Sequence, residues 1–134
     1  MTPHDRIANY FAMCGEGSAA EIAAHFTSDA VIFDTNIRPI RGATEIGDMW
    51  VNVRDRWGGA RWSVDSCVGD WSGAAIEWSM TGVDPKTNQD FTFRGSEHYR
   101  FVDSLIDEIR QYWTFNRSEL TTGLIGYRYH ESAG

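Results

Sequence analysis

Several things are scarce in this sequence, and each scarcity removes a class of explanation. Only two cysteines occur, Cys14 and Cys67. They cannot build a disulfide framework, and no Cys/His spacing resembles a zinc site, so a reduced, cytoplasmic protein without a bound metal is expected. Basic side chains are outnumbered, 12 Lys+Arg against 19 Asp+Glu, leaving a formal charge of −7. An acidic surface repels phosphate backbones, which argues against nucleic acid as a partner. No basic run suits anionic lipid, and no apolar stretch approaches the roughly 20 residues of a membrane span. Met1 to Arg6 are mostly polar and lead straight into a helical pattern, so no signal peptide is expected. Gly15 and Gly17 lack the preceding strand that a phosphate-cradling loop requires. The histidines offer no nucleophile–base pairing: His4 lies near the start, His98 on an outward strand parity, His130 in the tail, and His25 beside Phe26, where half burial is expected.

What is present is aromatic mass: six Trp, five Tyr and seven Phe in 134 residues. That length suits one domain over residues 1–134, with 116–134 as a C-terminal tail. A small domain so rich in rings often lines a cavity with some of them. The first third reads as helices. Thr2 can cap, Pro3 suits the first helical position, and Ile7, Tyr10, Phe11 and Cys14 recur on one helical face. Gly15 and Gly17 stop that helix. Ser18 and Glu21 form a capping box for a short second helix with Ile22, Ala23 and Phe26 inward. Thr27 to Asp29 reads as a turn, and Ala30 to Asp34 as a short strand. A loop through Asn36 and Pro39 reaches Gly42, and a third helix carries Ile46, Met49, Trp50, Val53 and Trp57 on one stripe before Gly58-Gly59.

The remainder alternates with period two, giving four antiparallel strands. Trp62, Val64 and Val68 are expected inward on the first of them, with Cys67 on the polar parity. Ile76, Trp78 and Met80 follow, then a hairpin loop at Asp84 to Asn88. On the next strand Phe91, Phe93, Gly95, Glu97 and Tyr99 share one parity. After a turn at Val102 to Ser104 come Ile109, Gln111 and Trp113. Helices first and antiparallel strands after indicate an α+β architecture, with the helices on one face of a curved sheet.

Three residues stand out as candidate chemistry. Glu97 is the lone acid on an apolar parity. Burying its ionised form costs several kcal/mol unless it is paired, so it either meets a buried cation, is turned outward by a bulge, or stays a neutral acid with a raised pKa. Asp34 closes a strand where a loop begins. It reads either as a turn residue bonding its own backbone, with Arg38 or Arg41 as a candidate partner, or as a base. Tyr10 reads as core filler or as a hydroxyl donor.

The segments Ala24-His25-Phe26-Thr27-Ser28-Asp29-Ala30-Val31-Ile32-Phe33-Asp34, Arg41-Gly42, Glu97-His98-Tyr99-Arg100-Phe101 and Arg110-Gln111-Tyr112-Trp113 resemble the nuclear-transport-factor-2-like superfamily, also called SnoaL-like or ketosteroid-isomerase-like. The resemblance covers about residues 3 to 115. It implies a cystatin-like cone, three helices on a curved, mostly antiparallel sheet around a deep apolar pocket. Its site residues are most similar to those of the Δ5-3-ketosteroid isomerases: the helix tyrosine falls on Tyr10, the base on Asp34, and the second acid on Glu97, where the isomerases have Asp. The base is followed by Thr35 rather than the usual Pro. What the resemblance implies is cofactor-free proton transfer, with Asp34 as base and Tyr10 and neutral Glu97 as donors to an enolate. Trp50, Trp78, Phe91, Phe93, Tyr99, Gln111 and Trp113 would line the site for a hydrophobic, ring-containing substrate. Cyclases and epoxide hydrolases of the superfamily carry an acid near Gln111, and an amide cannot serve as a general base. A polyketide or terpenoid cyclase, dehydratase or hydrolase, and a non-catalytic binder of hydrophobic ligands, are the alternatives. The resemblance also implies a homodimer through an outer face bearing Arg94, His98, Arg100, Glu108, Arg110 and Tyr112.

Overall fold

Helix α1 (Pro3–Glu16) begins where its capping residue directs: the Thr2 side chain accepts from the Asp5 amide, and the Asp5 carboxylate accepts from the Thr2 amide. The same reciprocal box, Ser18 with Glu21, starts the short helix α2 (Ala19–Ala23). Both satisfy amides that a helix start leaves without partners. Helix α3 (Ala43–Arg56) follows Gly42, whose φ of +92° is one that a side chain resists. Its Arg54 reaches back to the carbonyls of Cys14 and Gly17, closing the end of α1.

The structure, a computed structural model, describes residues 1–129; His130 and the end of the tail lie outside the described residues. The three helices pack against a six-stranded, curved, mostly antiparallel sheet of order β2-β1-β6-β5-β4-β3. The strands are β1 (Phe26–Asp34), β2 (Ile40–Arg41), β3 (Arg61–Asp70), β4 (Gly73–Val83), β5 (Asp90–Val102) and β6 (Leu105–Tyr112). The fold is therefore α+β, with one parallel pairing, β1 beside β6. The core lies between helices and sheet, from Ile7 and Phe11 on α1 through Ile22 and Ile46 to Ile76, Phe93 and Ile109.

The strands differ from the sequence expectation in three places. β1 starts at Phe26, not Ala30. Phe26 leaves the predicted helix and pairs with Ile106, and an irregularity between Phe26 and Val31 takes up the residues expected to form a turn. Thr27 there donates to the Asp107 carboxylate at 2.7 Å. The loop before Gly42 contains β2, which pairs with β1. On β3 a bulge between Val64 and Ser66 adds one residue and inverts the parity beyond it. Cys67 consequently packs inward, and Val68, expected inward, is 70% exposed. One inserted residue moves every later side chain to the opposite face.

Asp103 and Ser104, both at positive φ, make the tight β5–β6 turn. The tail continues the sheet where β6 stops: Thr92 on β5 donates to the Leu120 carbonyl and accepts from the Thr122 amide. Buried Asp84 anchors it from the hairpin loop, accepting from the Lys86 amide, the Thr87 hydroxyl and the Arg117 guanidinium.

Candidate functional site

Strand register builds the site. Asp34 on β1 sits opposite Gln111 on β6, and Gln111 sits opposite Glu97 on β5, so carboxyl, amide and carboxyl lie in one row across three strands. All three line a cavity of about 370 Å³ between the sheet and helices α1 and α3. Its buried lining residues, among them Tyr10, Cys14, Phe93 and Glu97, form the floor. Its exposed ones, Asn36, Ile37, Arg56 and Phe115, mark the mouth.

Asp34 is held from three directions. Its Oδ1 accepts from the Asn36 amide at 2.6 Å, the local turn bond that its strand-end position suggested. Its Oδ2 accepts from Gln111 Nε2 and, at 2.9 Å, from Trp113 Nε1. Neither Arg38 nor Arg41 is among these partners. Three donors suit a group that in its ionised form can only accept. Gln111 Oε1 is left buried without a partner, as is the indole nitrogen of Trp78.

Glu97 is 3% exposed. Burial, with the charge of Asp34 adding to it, pushes its carboxyl up to about 8, against the opposing bond from Tyr99, whose hydroxyl donates to Glu97 Oε1 at 2.7 Å. It faces inward, and among the described residues no ion pair reaches it. Burial also drives the hydroxyl of Tyr10 well above its ordinary range, with Cys14 and Glu97 contributing. Burial thus favours the protonated, donating forms of Tyr10 and Glu97, and both line the cavity with the Asp34 carboxyl group and its three donors.

Trp50, Trp78, Phe93, Gln111 and Trp113 line the cavity together with Tyr10, Asp34 and Glu97. Phe91 and Tyr99, expected on its wall, do not. Phe91 stacks behind Phe93 at 4.5 Å and meets Trp57, because the curved sheet presents only part of the inward parity to the open space. Tyr99 lies beside Glu97 and orients it. His98 and Arg100 are exposed. The sequence reading missed Arg56, Phe115 and Arg117 as lining residues. The apolar stripe of α3 already contained Met49, Val53 and Trp57, but nothing local reveals that Arg117 folds back across Trp57. Gly95, opposite Trp78, leaves room for two indoles: a Cβ there would stand 2.7 Å from the Trp78 ring and 2.8 Å from Trp113 Cβ.

The SnoaL-like domain family model matches residues 7–109. The chain belongs to the SnoaL-like family. A protein of unknown function with a cystatin-like fold from Methylobium petroleophilum PM1 is 30% identical, with a TM-score of 0.72 over 93% of this chain and 80% of that one. A protein with a ketosteroid isomerase-like fold from Catenulispora acidiphila DSM 44928, in complex with trimethylamine, superposes at TM-score 0.75 and 12% identity, over 87% of this chain and 88% of the other. The epoxide hydrolase/cyclase-like enzyme SalBIII, described in pyran ring formation in the polyether salinomycin, gives 0.72 and 15%, over 84% and 91%. At 12% and 15% identity the likeness is one of fold. No curated protein matches this sequence. A SnoaL-like domain places the chain in a family of small-molecule enzymes that includes isomerases and cyclases. Among the described residues no helix of this SnoaL-like chain is long and apolar enough to cross a membrane, and no group of three or more His, Cys, Asp and Glu is placed to hold a metal.

Proposed function

We propose that this SnoaL-like protein catalyses proton transfer next to a carbonyl group, an isomerisation through an enolate, on a hydrophobic ring-containing substrate. The observation that carries the reading is the contrast between two carboxyl groups in one apolar cavity. Asp34 is surrounded by hydrogen-bond donors, whereas Glu97 is buried beside rings with its carboxyl raised to about 8. The acid whose proton burial retains is assigned as donor, and the carboxyl group set among donors as base.

Asp34 takes a proton from the carbon adjacent to the carbonyl. The electron pair moves onto the carbonyl oxygen, and Tyr10 and neutral Glu97 donate hydrogen bonds to the developing enolate, where a water-poor site makes each bond count for more. Asp34 then returns the proton to another carbon of the conjugated system. Tyr99 orients Glu97, and Gln111 and Trp113 orient Asp34. The aromatic wall excludes water and holds the ring body flat.

Turnover of an unconjugated 3-ketosteroid or a smaller β,γ-unsaturated cyclic ketone tests the reading. Asp34→Asn should abolish turnover and leave binding largely intact. Glu97→Ala should cost on the order of 10²-fold, and Glu97→Gln much less, because an amide still donates. A harmless Asp34→Asn, or a Glu97→Gln as damaging as Asp34→Asn, would overturn the assignment.

The proposal extends to a homodimer through the outer sheet face, where exposed His98, Arg100 and Tyr112 stand beside half-buried Glu108 and Arg110. Mixed charges there can pair across a two-fold axis. A monomeric mass at micromolar concentration would refute it.

A further inference from the structure

The acidic and basic residues of the cavity are segregated. Its acids, Asp34 and Glu97, stand on strands β1 and β5, while its cations, Arg56 and Arg117, stand on the last turn of α3 and on the tail. Arg56 directly precedes Trp57 in the chain, and the Arg117 guanidinium lies 5.0 Å from the centre of the Trp57 ring. Arg117 is fixed rather than loose. Its Nη2 donates to buried Asp84 at 2.9 Å, while its Nε has no partner. Arg56 is exposed and makes no ion pair among the described residues.

We infer that the mouth of the cavity is an anion subsite, and that the substrate carries a carboxylate or similar oxyanion on the side of its ring body away from the reacting carbonyl. The inference rests on the cavity being the ligand site proposed above. Arg56 supplies the free charge, and a planar guanidinium matches an oxyanion with two parallel N–H groups. Arg117 adds field and shape from a held position. Among the described residues neither arginine forms an ion pair with Asp34, so that carboxyl group does not close the mouth. The anion also fixes which end of a flat, slippery ring system enters first, which apolar walls alone leave undecided.

Two fluorescent probes isolate the charge: 8-anilino-1-naphthalenesulfonate and N-phenyl-1-naphthylamine share one ring body and differ by the sulfonate. The sulfonate should bind on the order of tenfold more tightly than the neutral dye, as expected for one charge-assisted contact. The neutral dye should displace it, placing both in one cavity. Arg56→Gln, at an exposed position on the cavity rim, should remove the preference while leaving the neutral dye's affinity within a factor of about two. Arg56→Lys should restore part of it. Raising the ionic strength should weaken the sulfonate alone. A neutral dye that binds as well as the sulfonate, or a preference that survives Arg56→Gln, overturns the subsite and leaves the proton-transfer reading standing. Failure of both dyes to bind overturns the cavity as a ligand site, and the subsite with it.

Discussion

Replacing Glu97 by Gln should stabilise the protein by an amount that grows with pH. Glutamine keeps the size, and its carbonyl can still accept from Tyr99, but it cannot ionise. Glu97 has an ordinary value of 4.5 in the unfolded chain and about 8 in the fold. Between those values the native state binds the proton and the unfolded state does not, so stability falls as pH rises. Linkage puts the resulting cost to the wild type at about 1 kcal/mol at pH 5, about 3 kcal/mol at pH 7 and about 5 kcal/mol at pH 9, where it levels off. The Gln variant escapes that cost, and every other titrating group cancels in the difference between the two proteins. Urea unfolding of both at the three pH values reads the gap directly. Tyr99→Phe provides the control of opposite sense. It removes the bond that favours the carboxylate, so the decline of stability should run to higher pH than in the wild type. A gap between wild type and Glu97→Gln that stays constant from pH 5 to pH 9 would refute a buried neutral acid, and with it the donor role of Glu97.

Two further outcomes follow from local geometry. Gly95→Ala should destabilise by about 1–3 kcal/mol, the usual range for overpacking, because the new Cβ would meet the Tyr112 carbonyl at 2.6 Å as well as both indoles; it should also displace Trp113 from Asp34 and lower turnover, and unchanged stability and tryptophan emission would contradict the packing described. His25 Nδ1 stands 2.9 Å from the Arg6 guanidinium, which can only donate, and burial followed by the Arg6 charge lowers its pKa. The fold therefore favours neutral His25, and stability should decline as pH drops below about 6.5, by less than about 1 kcal/mol given its partial exposure. Measured in the Glu97→Gln background, where the opposing trend is gone, this decline should vanish on adding His25→Gln, and its persistence would point elsewhere.

Local sequence settled whatever depends on short-range chemistry. The helix starts at Thr2 and Ser18 follow from side chains that reach only three residues: Thr2 caps and the Ser18–Glu21 box forms as read, and Asp5 adds a second box at Thr2. Alternation along β4, β5 and β6 sorts inside from outside because a strand turns each side chain opposite to the last, and so Glu97 and Gln111 are buried while His98 is not. A carboxyl among rings was already legible as an acid with a raised pKa, since desolvation needs only the neighbours that parity supplies. What the sequence left undecided was set by registers between distant strands. The β3 bulge turned Cys67 in and Val68 out, because an extra residue in one strand is visible only against its partner. Asp34 became the clasped carboxylate only when β6 paired in parallel with β1 and brought Gln111 and Trp113 to it across 77 and 79 positions of sequence. Arg117 reached Trp57 and Asp84 only by the return of the tail. Burial and capping act over a few residues and are written along the chain; hydrogen bonds between groups far apart in sequence exist only after the sheet has chosen its order.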